Sequence, residues 1–170
     1  MESSTSPTIV KATPSHVPFI QSIVNAAYTK YISRIGKRPA PMLADYSALI
    51  QSSTHEIYVL LEPGTSPKLS TDPDVESTIL GSVVLDTSSS TELKINNLAV
   101  DPGAQGKGYG RLLMNFAEEQ ARETGRDALE LYTGVKMIEN LALYQKLGFL
   151  EFERREEDGF ERVFFRKELK

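Results

Sequence analysis

Between Leu98 and Leu113 the chain reads LAVDPGAQGKGYGRLL, an apolar run that passes through Gly106, Gly108 and Gly110 into a stretch with helical periodicity. A strand that turns through glycines into a helix leaves the first backbone N–H groups of that helix without internal acceptors, and the helix dipole adds about half a positive charge there. Glycines also strip side chains from this surface. The pattern therefore predicts an anion, above all a pyrophosphate, seated on the turn, with Lys107 and Arg111 at its rim.

The flanking sequence supplies the rest of an α/β domain. TIVKA (8–12) reads as a first strand and PSHVPFIQSIVNAAYTKYI (14–32) as a first helix, with Phe19, Ile20, Ile23, Val24 and Ala27 on one apolar face. Arg34 to Met42, with Gly36, Pro39 and Pro41, predicts an irregular loop, and a second helix runs from Leu43 to Ser52. EIYVLLE (56–62), TILGSVVLD (78–86) and ELKINNLAV (92–100) read as strands, the first two joined by a Pro/Ser/Asp-rich connection (63–77) expected at a mobile surface. Past the glycines, Leu112, Leu113, Phe116, Ala117 and Ala121 make an apolar stripe that Gly125 terminates. ALELYTG (128–134) is a strand, MIENLALYQKLG (137–148) a shorter helix closed by Gly148, and the last segment two strands about an EEDG turn. The expected architecture is one mixed sheet with helices on both faces, a single domain over 8–170 behind a disordered tail over 1–7.

Composition narrows the chemistry. The 170 residues are 40% apolar, enough for one core, and contain no cysteine, which excludes disulfides, thiolate metal clusters and a Cys nucleophile. A net charge of −4 without a basic block argues against nucleic acid or anionic lipid as partners. No apolar run approaches the roughly 20 residues of a membrane span, and MESSTSPT lacks the apolar stretch of a secretory signal, so a cytoplasmic protein is expected.

Three nucleotide-type motifs compete for the glycine turn. A P-loop needs a Gly where Asp101 stands and a Ser or Thr where Gly108 stands; a dinucleotide fingerprint needs G-x-G-x-x-G where this chain runs G-x-G-x-G. The third, Gln105-Gly106-Lys107-Gly108-Tyr109-Gly110, matches the Q/R-x-x-G-x-G/A motif of the GNAT superfamily of acyl-CoA-dependent N-acyltransferases. The chain resembles that family beyond these six residues: NLAVDPGAQGKGYGRLLM is similar to its central strand, pyrophosphate loop and helix, and LALYQKLGF to its second hallmark, a helix bearing Tyr followed by Gly-Phe.

The resemblance implies acetyl-CoA as co-substrate and direct transfer of its acetyl group to a primary amine of a small molecule or peptide, without a covalent acyl-enzyme. Backbone N–H groups of Gln105, Gly106, Lys107, Gly108, Tyr109 and Gly110 would bind the pyrophosphate, and Leu98 and Val100 would pair with the pantetheine arm. Tyr144 matches the tyrosine that protonates the departing thiolate. The family's helix carries Asn two turns and Ala one turn before this Tyr; here Met137 and Asn140 stand there, and Asn140 is expected near the coenzyme. Strand alternation puts Glu92, Lys94 and Asn96 on one face, none of them a secure general base. The acceptor site is expected to draw on Tyr28, Tyr31, Arg34, Asn96 and Tyr132, with Tyr46 beside the first helices. His16 and His55 read as cap-region and surface residues. No metal is called for, the chain is expected as a monomer or homodimer, and the alternative reading is a non-catalytic acyl-CoA-binding regulatory module.

Overall fold

The computed structural model describes residues 6–62 and 79–170, so the segment read as a mobile connection and most of the N-terminal tail lie outside the described residues. Seven strands form one sheet: β1 Thr8–Lys11, β2 His55–Leu61, β3 Ile79–Asp86, β4 Glu92–Val100, β5 Ala128–Gly134, β6 Leu150–Glu157 and β7 Phe160–Glu168. Their order across the sheet is β1-β2-β3-β4-β5-β7-β6, and every neighbouring pair is antiparallel except β4 with β5. A parallel pair needs a long crossover, supplied here by helix α5, Tyr109–Glu123.

Both faces of the central strands are covered, so β3 is buried along almost its whole length and reads as a continuous apolar run. On one face Leu113 and Ala117 of α5 pack with Leu85, Leu93, Ile95, Leu129 and Phe165. On the other, Ile20 and Val24 of helix α1, Val17–Tyr28, pack with Ile57, Val59, Val84 and Ala99. Gly125 adopts φ +74 and Arg126 N donates to Ala121 O at 2.9 Å, the wrapped C-terminus expected for α5. Helix α6, Ile138–Lys146, ends alike, with Phe149 N donating to Tyr144 O at 3.0 Å and the Phe149 ring buried.

Three sequence readings need correction. The stretch expected as one helix over 14–32 is broken: α1 is flanked by 3-10 turns at Pro14–His16 and Thr29–Tyr31, and a short helix α2, Ile32–Ile35, ends at Gly36. The expected loop contains α3, Ala40–Leu43, because Pro41 falls in a first turn, where a missing N–H costs nothing. The second helix, α4, therefore begins at Tyr46 rather than Leu43, behind an Asp45 cap whose carboxylate accepts from Ala48 N at 3.0 Å, and ends at Gln51.

Candidate functional site

The site originates in one extra residue. Strand β3 pairs Val84 with Asn97 but Leu85 with Ile95, leaving Asn96 as a bulge. Before it, Leu93 and Ile95 face α5; after it, Leu98 and Val100 do so, while Asn97 and Ala99 face α1 and α4. Strict alternation therefore fails past Asn96: Asn97 lies on the α1 and α4 side and Leu98 on the α5 side, the reverse of what a count from Glu92 and Lys94 predicts.

At the same point β4 leaves β5. Their ladder runs only from Glu92↔Ala128 to Ile95↔Leu131, after which β4 continues along β3 and β5 along β7 to Gly134. The strands splay, and a cavity of about 370 Å³ opens in the gap. Asn96, Asn97 and Leu98 form one wall, Tyr132, Thr133 and Gly134 the opposite wall, and Tyr28, Tyr144 and Asn140 also line it. Lys37 and Pro39 to Pro41 line it from the α2–α3 segment, and Gly159 to Arg162 from the β6–β7 hairpin.

Antiparallel alternation decides which backbone groups face this gap. Asp101 N donates to Leu80 O at 2.8 Å, so Asp101, Ala99 and Asn97 direct their backbone groups at β3, while Leu98 and Val100 direct theirs away from it, where no strand lies beside them. The Leu98 carbonyl accepts from the Tyr28 hydroxyl at 3.2 Å, and the Val100 carbonyl from Gln105 Nε2 at 3.2 Å.

The glycine turn closes the end of β4. Gly106 and Gly108 adopt φ +81 and +83, which disfavours side-chain-bearing residues, and a Cβ on either would meet no atom within 4 Å. The glycines are required by backbone direction, and the space they leave is open. Gly108 caps α5 and its carbonyl accepts from Leu112 N at 3.0 Å, so the N–H groups of Tyr109, Gly110 and Arg111 have no acceptor within the helix. Lys107 and Arg111 are exposed beside them.

Tyr144 reaches the cavity from α6. Its ring meets Phe165 and Phe149 edge-on, at centroid distances of 5.7 and 6.1 Å. Burial pushes its hydroxyl pKa up to about 12, and no described residue hydrogen-bonds that hydroxyl. Asn140, one turn earlier, donates through Nδ2 to Thr133 Oγ1 at 3.3 Å, which ties α6 to β5. Burial likewise raises Tyr28, Tyr46 and Tyr132 above the ordinary phenol range. Tyr46 is wholly buried; its hydroxyl donates to Pro41 O at 2.6 Å and accepts from Asn97 Nδ2 at 3.2 Å, fastening the α3 segment to the strand beside the bulge.

Of the expected acceptor residues, Tyr28, Asn96 and Tyr132 stand on the cavity wall. Tyr31 and Arg34 do not: Tyr31 is buried against Tyr28, and Arg34 is held in a bidentate pair with Glu139 at 2.7 Å, bridging α2 to the start of α6. Arg34 holds the Glu139 carboxyl down to about 2. His16 caps the first turn, accepting from Thr13 N at 3.0 Å, and His55 bonds Ser52. Sequence reading missed Asn97, Lys37 and Arg162. Arg162 shares its strand face with Phe160, Phe164, Arg166 and Glu168, a mixed pattern that does not mark it in the sequence.

Among the described residues no helix is long and apolar enough to cross a membrane. The sequence model of the Acetyltransferase (GNAT) family matches residues 44–149. An uncharacterized N-acetyltransferase of Bacillus subtilis is 43% identical over 67 residues, 39% of this chain and 43% of that protein. The matched stretches span 26% to 46% of the lengths of four such curated relatives. Among solved structures, the ribosomal-protein-S18-alanine N-acetyltransferase of Escherichia coli shares the fold at TM-score 0.70 and 19% identity, covering 96% of this chain and 94% of its own. A GNAT family acetyltransferase of Elizabethkingia anophelis, solved with acetyl-CoA bound, does so at TM-score 0.61 and 21% identity, covering 96% and 99%. With its sheet order, glycine turn and matched core together, the chain belongs to the GNAT acetyltransferase family.

Proposed function

We propose that the protein transfers an acetyl group from acetyl-CoA to an amine by direct attack, with the strand splay as the reaction site. The observation that carries this reading is the succession of three features around β4: the unsatisfied N-terminus of α5 against the strand's end at Val100, the strand edge left open past Ile95, and the unpaired Tyr144 hydroxyl on the cavity wall. A relative of the same fold that binds acetyl-CoA supports the choice of donor.

In this reading the N–H groups of Gln105 to Gly110 hold the pyrophosphate, Lys107 and Arg111 add charge at the rim, and Leu98 and Val100 bond the pantetheine arm as an added strand. Asn140 lies beside the same coenzyme. Tyr28, Asn96 and Tyr132 contact the acceptor. An amine of pKa about 10 must shed a proton before it attacks, by a water chain or a weak base. Its nitrogen then bonds the acetyl carbon while an N–H near Val100 stabilises the oxyanion. As the C–S bond breaks, Tyr144 gives its proton to the sulfur, while the attached nitrogen sheds its remaining extra proton to water, from which Tyr144 is reprotonated. Its raised pKa keeps that proton in place across neutral pH.

The test is a thermal melt of the full chain with acetyl-CoA. At a hundredfold excess over Kd, a ligand bound only to the native state adds about 2.7 kcal/mol, a rise of roughly 5–10 °C for a domain of this size. Gly108→Glu, which sets a carboxylate at the helix start, abolishes the rise. The absence of any shift in the wild type, or an equal shift in the folded variant, refutes the assignment.

A further inference from the structure

The acceptor end of the cavity contains a buried cation with an unused face. Arg162 lies opposite Gly134, the last residue of β5, and its side chain is only 6% exposed. The guanidinium lies over the ring of Tyr132, two residues before Gly134 on the same strand, 4.3 Å from its centroid. Glu157 accepts from Nη1 at 3.0 Å, and Asp158 approaches the same nitrogen at 3.8 Å. Both acids therefore use one corner of the group. Nε and Nη2 carry three further N–H donors, and no described residue accepts from them.

Among the described residues only Ser82 Oγ and Asn97 Oδ1 are fully buried without a partner, so Nε and Nη2 of Arg162 are not sealed but keep access to the cavity that the residue lines, where a ligand can meet them. The free side of this group is the planar Nε–Nη2 edge, where two N–H vectors run parallel at the spacing of carboxylate oxygens. A carbonyl would meet only one of them. A doubly charged group such as phosphate would sit against Glu157 and Asp158, whose repulsion rises with ligand charge. Lys37, which lines the cavity from the α2–α3 segment, donates to Gly159 O and lies 4.2 Å from the centroid of the Phe160 ring, the ring that the Arg162 guanidinium approaches at 5.5 Å, so a second cation stands near the same hairpin.

We propose that the acceptor is an amino acid whose amine enters the strand splay while its carboxylate bonds the Nε–Nη2 edge of Arg162. This rests on the acetyl-transfer reading above and names its substrate class.

The experiment uses matched sets, each an amino acid with its carboxamide and its decarboxylated amine, assayed by release of free coenzyme A thiol at saturating acetyl-CoA. The acid of an accepted skeleton is expected to exceed its carboxamide in kcat/KM by roughly 10- to 100-fold, the range for a charge-assisted pair, with the difference in KM. Arg162→Met collapses that ratio toward one while calorimetry still shows acetyl-CoA binding. Arg162→Lys, which keeps charge without the fork, gives an intermediate ratio and serves if the Met variant does not fold. Carboxamides or plain amines used as well as the acids, an unchanged ratio in the folded variants, or no acid acetylated at all each overturn the proposal. Acetyl-CoA titration of the wild type then shows whether the acetyl-transfer reading stands without it.

Discussion

The Tyr144 hydroxyl is a polar group brought to a cavity wall with its ring locked between two phenylalanines and nothing assigned to its oxygen. Replacement by Phe preserves that packing and removes only the proton. Single-turnover mixing at saturating acetyl-CoA is expected to show the chemical step slowed by roughly 10- to 10⁴-fold with coenzyme affinity retained; an unaltered rate across pH 6 to 9 means that another group supplies the proton. The same burial acts on stability. Tyr144, Tyr28 and Tyr46 hold their protons in the folded chain to higher pH than in the unfolded one, so folding stability is whole below the ordinary phenol value of 10.0 and falls as pH climbs from there toward 12. Denaturant melts from pH 8 to 11 check the sign, and Tyr144→Phe makes the fall shallower; a fall that begins at neutral pH, or is unchanged in the variant, contradicts it. Tyr144 was legible in the sequence because its neighbours LALYQKLGF are contiguous with it. Arg162 was not, because its meaning comes from Tyr132 on another strand, and only the pairing of Gly134 with Arg162 brings the two together.

Strand β4 shows the same limit one scale up. Its bounds, like those of β5, are plain from apolar patterning, yet its faces are not, because Asn96 and Asn97 are chemically identical and nothing local says which one the partner strand will skip. A bulge is a property of a pair, read from β3 and β4 jointly. Removing Asn96 therefore makes a sharp prediction. Ile95, Asn97, Leu98 and Ala99 would then alternate without interruption, each keeping the face it already occupies. The variant is expected to fold with a melting temperature at or above that of the parent, since no core contact is forfeited and one unpaired residue is gone. It is also expected to lose acetyl-CoA binding, because an unbulged β4 extends its ladder along β5 and closes the gap. A deletion variant that still binds the coenzyme places the origin of the cleft elsewhere. Short helices evade sequence reading differently: α2 and α3 are single turns among Gly and Pro, held by tertiary contacts such as the Tyr46 bond to Pro41 rather than by a pattern of their own.

At the scale of the molecule, element order and both covered faces follow from the sequence, since strand and helix periods differ and their succession dictates a mixed sheet. The way that sheet divides does not follow. In mechanical terms the protein is a hinge: β1 to β4 form one leaf, β5 to β7 the other, and the pin is the four rungs from Glu92↔Ala128 to Ile95↔Leu131, with α5 packed along both leaves as a spine. Such an object is stiff at the pin and compliant at its open end, although both ends belong to one sheet. Amide hydrogen exchange is expected to be slow at Leu93 and Ile95 and fast at Leu98 and Val100, buried or half-buried residues that a continuous sheet would protect equally. Acetyl-CoA should then slow Leu98 and Val100 more than any other strand amides; uniform protection along β4 in the free protein would show that the leaves do not breathe. On the proposed reading, a molecule bound in the gap would supply the missing rungs of the ladder, so that substrate occupancy and rigidity of the whole sheet would rise together.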